Sequence, residues 1–383
     1  MKISVLCFDL SSNAFGRAWL LAQALSKFYD VEIVGTSRRG DVWSPMKQME
    51  IPVKKFTWER YPAFFSIKKS MLNEIDGDVI LASKLMPTSF GIGLKKKYLS
   101  GKPLIVDIDD WELGFFLHSG LFGSIGRSLN LSNPNGLPYV WRMESLVGFA
   151  DAISVSNRFL QNKFGGTLLP HCRDTSILDP IKFEPNRIKE ELGFSGKKIL
   201  MFLGTPRPHK GIGDLLSAFK KNKDLDLRLV VIGVENKREF LKEVDFSIRD
   251  RVAVLSKTPF DKLPEYLSAA DIIAIPQRLT SDSIGQIPAR LFDAMAMGKP
   301  IVATRISDIP EVLGGCGYLV DPNDPSQLAG AIQYIMSHPD EARLKGLAAR
   351  ERCKEMYDMH NLELGLYKLV EQVIEKQSKN NCS

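Results

Sequence analysis

No apolar run in the 383 residues reaches the roughly eighteen needed to cross a bilayer as a helix, so a membrane-spanning segment of that kind is excluded. Cysteine is scarce: Cys7, Cys172, Cys316, Cys353 and Cys382 stand far apart, with no C-x-x-C pair and no histidine at ligand spacing. That excludes a zinc finger and a disulfide framework and points to a reducing compartment. A G-x-G-x-x-G turn is missing after the first strand, which argues against a dinucleotide cofactor. There is no long basic block and no aromatic-basic repeat, so nucleic acid is not an expected partner. Nor does a Ser-His-Asp set or a catalytic carboxylate pair stand out. The start, Met1-Lys2 and then a strand, carries no cleavage site, and the expectation is a protein of the cytoplasm or of the inner face of the membrane.

What is present fits a globular enzyme of two domains. Hydrophobic residues make up 44% and charged residues 25% of the chain. The net charge of +6 suits phosphorylated ligands or an anionic membrane surface. Ile3–Phe8, a polar loop holding Gly16, an apolar helix and Val31–Val34 form a strand-loop-helix-strand unit of the kind that builds parallel sheets. Further strands are expected at 79–82, 104–107 and 152–155, then at 198–203, 227–233, 252–255, 272–276 and 300–303. Three prolines between Leu168 and Pro185 mark an interdomain segment. Residues 1–172 are therefore expected to form one domain and 173–355 a second, with helices over 339–356 and 362–374 and a frayed polar end.

Two loops carry chemistry. Gly204-Thr205-Pro206-Arg207-Pro208-His209-Lys210-Gly211 closes a strand with a proline-stiffened turn holding two cations, suited to phosphate oxygens or, alternatively, merely solvated. Ser281–Gly285 then runs into a short helix, with Pro288 at its start, Leu291, Ala294 and Met295 on its apolar face and Gly298 beyond its end. Unpaired N–H groups there attract an anion, and Asp293 is placed to meet a diol; the plainer alternative is an ordinary helix-strand unit with a surface Asp. Asp107-Ile108-Asp109-Asp110 ends a strand as a metal ligand set, a lining that meets an acceptor hydroxyl, or a loop cap. The aromatic, glycine-rich stretch 111–136 reads as a lid, an acceptor groove, a membrane-touching surface or part of the core. Lys95-Lys96-Lys97 reads as a solvated helix end or a lipid patch.

Together these segments resemble the family 4 retaining glycosyltransferases (glycosyl transferases group 1) of the GT-B fold, along nearly the whole chain. The most specific stretch is Leu291-Phe292-Asp293-Ala294-Met295-Ala296-Met297-Gly298-Lys299-Pro300; Ala150–Ser156, Pro170–Asp174 and Lys210-Gly211 add to it. The resemblance implies an α/β chain of two Rossmann-like domains facing each other across a cleft. The first would bind the acceptor, the second a UDP- or GDP-sugar, and residues 356–383 would hold a helix crossing back to the first. It implies no resident cofactor and no metal, with a glycan, lipid-linked or small-molecule hydroxyl as acceptor and possible peripheral contact with the membrane. Asp293 stands in for the family's ribose-binding Glu, and Arg207 with Lys210 for its diphosphate-neutralising pair, since the usual arginine position is Thr205. Gly285 stands where the family's first acid is expected, with Asp282 or Ser283 as replacements. Related transferases with a Pro-x-Arg/Lys-Leu-Phe-acid helix dispense with that acid. Ile284, Gln286, Ile287 and Arg290 complete the donor loop, Gly16 resembles the glycine that admits the donor, and Asp109 and Asp110 line the acceptor side. His118 is the candidate sugar contact, with His171 and His209 on the donor side. A nucleotide-sugar 2-epimerase and a non-catalytic binding homologue share this architecture.

Overall fold

The structure is a computed structural model and describes residues 1–43, 50–117, 130–281 and 283–381. It divides into two compact units, Met1–Pro170 with Met359–Ser383, and His171–Asp358. Unit 1 runs β1 (Lys2–Cys7), α1 (Ala14–Leu25), β2 (Asp30–Ser37), β3 (Val53–Thr57), α2 (Phe64–Glu74), β4 (Val79–Ser83), α3 (Ile92–Ser100), β5 (Leu104–Ile108), α4 (Glu112–Leu117), α5 (Leu137–Ser145), β6 (Ala152–Val155), α6 (Arg158–Phe164) and β7 (Thr167–Leu168). Unit 2 runs α7 (Pro185–Glu191), β8 (Lys198–Leu203), α8 (Ile212–Lys221), β9 (Leu227–Ile232), α9 (Lys237–Glu243), β10 (Val252–Leu255), α10 (Leu263–Ala269), β11 (Ile272–Ile275), α11 (Ala289–Ala296), β12 (Ile301–Thr304), α12 (Ile309–Leu313), β13 (Tyr318–Val320), α13 (Pro325–Ser337) and α14 (Pro339–Met356). The chain then returns to unit 1 as α15 (Met359–Asn381).

The described residues of unit 1 form a seven-stranded sheet in the order β3-β2-β1-β4-β5-β6-β7, and those of unit 2 a six-stranded sheet in the order β10-β9-β8-β11-β12-β13. Neighbours pair parallel throughout. Central strands are buried on both faces, which is why Ile3–Leu6 and Ile199–Leu203 read as nearly continuous apolar runs. β3 escapes that reading because Val-Lys-Lys-Phe-Thr is a half-exposed edge strand, while β7 and β13 are too short to show a period. Gly16 lies inside α1 and not in the loop before it.

Helix ends follow the expected chemistry. Gly298, with φ +62°, closes α11: its N–H bonds Met295 O at 2.9 Å and that of Lys299 bonds Ala294 O at 3.1 Å, the paired bonds of a Schellman turn. α15 buries Leu362, Leu366, Leu369, Val370 and Val373 along one stripe. Tyr29 donates to Glu371 at 2.8 Å and the Phe28 and Tyr367 rings lie 4.9 Å apart, joining α15 to the chain just after α1.

Gly211 has φ +71°, and a Cβ on it would stand 1.6 Å from the Pro276 carbonyl oxygen. Gly211→Ala should therefore destabilise unit 2 by about 3 kcal/mol or more. A urea midpoint matching the wild type would show that the two loops are not pressed together there.

Candidate functional site

In unit 2 the strand order reverses between β8 and β11, and the loops that leave these neighbours diverge from one point. Such a switch point is where open parallel sheets hold ligands. The 204–211 turn follows β8, the 276–288 loop follows β11, and the two are bonded together. Arg278 N donates to His209 O at 2.8 Å, and the Arg278 guanidinium forks Asp214 at 2.6 and 2.5 Å. His209 is buried, and Thr304 Oγ1 donates to Gln277 O at 2.7 Å.

Two cations converge at the end of β8. Arg290, the second residue of α11, is buried, with its guanidinium carbon 4.4 Å from the centre of the Phe202 ring. Its Nη1 donates to Leu203 O at 2.5 Å, while Nε and Nη2 have no hydrogen-bond partner among the described residues. A Cβ on Gly204 would lie 3.5 Å from Lys210 Nζ and 3.9 Å from Arg290 Nη1, so the bare glycine leaves space beside both groups. Among the described residues Arg290 has no carboxylate partner, and burial alone lowers its pKa to about 9. Arg207, which the sequence pairs with Lys210, is exposed at the start of the Pro208–Lys210 turn, and Thr205 is half-buried. The structure thus places Arg290 and Lys210 both beside Gly204, with Arg207 exposed on the same turn as Lys210.

The 281–288 loop is built on itself. Ser283 Oγ donates to Arg278 O at 2.5 Å and accepts from Thr280 N at 2.9 Å, so this hydroxyl holds the turn. Ile284 N and Gln286 N continue the turn through Thr280 O and Ser283 O, Gly285 is buried, and Ile287 anchors the loop in the core. Asp282 lies outside the described residues. Asp293 is buried, and its Oδ1 accepts from Arg173 Nε. Arg173 also donates to Ala289 O at 3.2 Å and Cys172 O at 2.8 Å, tying the acid to the start of its own helix. Burial lowers the proton affinity of Arg173, but Asp293 more than offsets this and the net shift is upward. The His171 ring stands 6.0 Å from that of Phe292. Gln277, which the sequence reading missed, is fully buried two residues past β11 with neither side-chain polar atom bonded among the described residues. A lone glutamine after an apolar strand gives no periodic signal.

In unit 1 the acidic run is taken up by cations of the same unit. Arg17 of α1 forks Asp107 at 2.9 and 2.8 Å, and Ser154 donates to the same carboxylate at 2.7 Å. Both Asp107 oxygens are thereby engaged. Lys84, buried and with φ +71°, pairs with Asp109 at 2.8 Å, with Glu112 at 3.0 Å and with Asp110. Gly16 sits where an added Cβ would touch Trp43 at 3.5 Å. His118 and residues 119–129 lie outside the described residues.

In each unit, buried side-chain polar atoms that lack hydrogen-bond partners among the described residues lie at or beyond strand ends. Ser83 ends β4, Trp58 follows β3, Gln277 follows β11, Ser307 follows β12, and Arg290 reaches the last carbonyl of β8. Unsatisfied groups of this kind are costly.

Comparison with known proteins agrees with this layout. Residues 197–338 match the family described as Glycosyl transferases group 1. The N-acetyl-alpha-D-glucosaminyl L-malate synthase of Bacillus anthracis is 30% identical over 184 residues, 46% of this chain and 46% of that protein. The matched part spans about half the length of such curated relatives. Sucrose-phosphate synthase from Thermosynechococcus elongatus superposes with a TM-score of 0.75 at 16% identity, covering 98% of this chain and 100% of that one. Anabaena HepE in complex with UDP-glucose gives 0.72 at 16% identity, covering 97% and 100%.

Asp109 is pushed up to about 7, first by burial, against the pull of Lys84. Its folded-state pKa lies above the unfolded value, so the folded form holds a proton that the unfolded form has lost between the ordinary aspartate range and about 7. Stability should fall as pH rises through that window, by up to about 1.4 kcal/mol per pH unit from this group. Asp109→Asn should flatten the slope of unfolding free energy against pH between the two limits, and an unchanged slope would remove the assignment.

Proposed function

We propose that this chain, a group 1 glycosyltransferase by residues 197–338 and GT-B in fold, moves a sugar from a nucleoside-diphosphate donor to an acceptor hydroxyl with retention at the anomeric carbon. The observation that carries the reading is the buried Arg290 guanidinium, with two polar positions unbonded, next to Lys210 at a sheet switch point. An uncompensated buried cation costs several kcal/mol, and a diphosphate supplies the missing charge. The donor is a UDP- or GDP-sugar; that HepE was solved with UDP-glucose supports UDP.

The departing group is a diphosphate, so the barrier falls chiefly through charges already in place where its negative charge grows. Arg290 and Lys210 meet those oxygens, and the first N–H groups of α11, which have no carbonyl within the helix to bond, add to the field. Asp293, with Oδ1 held by Arg173, presents Oδ2 to a ribose hydroxyl. The oxygen leaving the anomeric carbon takes the acceptor proton on the same face, so no side-chain nucleophile is required. Arg207, exposed at the rim, meets the donor as it enters. The acceptor is a glycan, a lipid-linked saccharide or a small alcohol. The cations already carry the charge role, so turnover is expected to survive excess EDTA.

Calorimetry of UDP and GDP tests the assignment. Arg290→Met should weaken the better ligand about thirty-fold, close to 2 kcal/mol, and Arg207→Ala no more than about threefold. Unchanged affinity in Arg290→Met would remove the diphosphate site from α11, and loss in Arg207→Ala alone would return it to the 204–211 turn. Dependence of turnover on an added divalent cation would overturn the metal-free reaction.

A further inference from the structure

Asp293 is not held as a carboxylate on a helix surface usually is. The segment that opens unit 2 runs along α11: the His171 ring stands 6.0 Å from that of Phe292, and two residues later the Arg173 side chain reaches the neighbouring Asp293. Arg173 is itself fixed along its length. Its backbone N–H bonds Tyr357 O at 2.9 Å, its Nη1 donates to Cys172 O at 2.8 Å, and its Nη2 donates to Ala289 O at 3.2 Å. Ala289 begins α11 and lies about one turn before Asp293, so a single planar guanidinium spans both. The two side chains are mostly withdrawn from water, at 15% exposure for Arg173 and 9% for Asp293.

The two oxygens of Asp293 are therefore unequal. Oδ1 accepts from Arg173 Nε in a charge-assisted bond, which draws on its negative charge and sets the guanidinium on that side of the carboxyl group. Oδ2 accepts nothing among the described residues. A free carboxylate can give one oxygen to each hydroxyl of a vicinal diol. Here one oxygen is already spoken for, and the other carries the stronger pull on a hydroxyl proton. Asp293 is also one methylene shorter than the Glu it stands in for, so it has less length with which to reach past the guanidinium.

We propose that Arg173 sets the ribose specificity of the donor site: by occupying Oδ1 it makes Asp293 read one of the two ribose hydroxyls, through Oδ2, and leave the other unread. Arg173 is thus a positioning residue that acts through Asp293. The inference rests on the nucleoside-diphosphate reading of unit 2 and deepens it, because it makes a donor lacking the unread hydroxyl an accepted ligand. Removing the guanidinium frees Oδ1. The site should then read both hydroxyls, a gain in discrimination that loss of a merely structural contact does not produce.

Calorimetry of the full chain with UDP, 2'-deoxy-UDP and 3'-deoxy-UDP tests it, or with the guanosine series if GDP binds better. In the wild type one deoxy analogue should bind about tenfold more weakly than the parent and the other within about twofold of it. Arg173→Met should bind the parent more weakly and now penalise both analogues, while Arg173→Lys, which keeps a charge on Oδ1, should retain the wild-type pattern. Equal penalties for the two analogues in the wild type would overturn the inference, as would an unchanged pattern in Arg173→Met. Should Arg173→Met fail to fold, the wild-type comparison decides by itself. Asp293→Asn separates the two levels of the argument. Penalties that vanish in this variant keep Asp293 as the ribose contact even where they are equal in the wild type, whereas wild-type behaviour in Asp293→Asn would remove the ribose contact itself.

Discussion

A positive charge buried without a counter-charge governs how unit 2 is arranged. Arg290 lies against the Phe202 ring and gives one N–H to the last carbonyl of β8, yet Nε and Nη2 find no acceptor among the described residues. An aromatic face and one carbonyl compensate a guanidinium only in part. The surrounding structure makes that cost bearable: the Schellman turn fixes the far end of α11, Arg173 ties Asp293 to its near end, and Gly211 lets the β8 turn close on Pro276. Each of these contacts fixes a part of the frame in which the guanidinium sits.

The sequence was readable where periodicity and turn chemistry act locally. The end of α11 at Gly298, the stiffened turn after β8 and the apolar central strands follow from residues close together in the chain. What stayed hidden depends on depth. Arg207 and Arg290 look alike as letters, and Arg207 sits nearer Lys210 in sequence; only folding shows that one is exposed and the other buried beside that lysine. Gln277 was invisible for the same reason, because its burial comes from neighbours on other strands. The Asp107–Asp110 run was ambiguous because its partners, Arg17 and Lys84, come from elements far away in the chain.

Unit 1 treats charge differently. Arg17 with Asp107, and Lys84 with its three carboxylates, are closed networks at the strand ends, so this unit meets its own acids with its own cations. Its unbalanced positive charge lies outside, on the helices, where water and counter-ions temper it. Cationic groups are therefore buried at a sheet switch point in one unit and spread over exposed helices in the other.

The order in which the chain is made gives the split of unit 1 a further meaning. Unit 2 is continuous from His171 to Asp358, and its ends meet, with Arg173 N bonded to Tyr357 O at 2.9 Å. Unit 1 is interrupted, and the 23-residue helix α15 that packs on α1 is synthesised after unit 2. During translation unit 2 is complete while α1 still waits for the helix that packs on it, so the α1 flank of unit 1 is a surface in need of protection in a nascent chain.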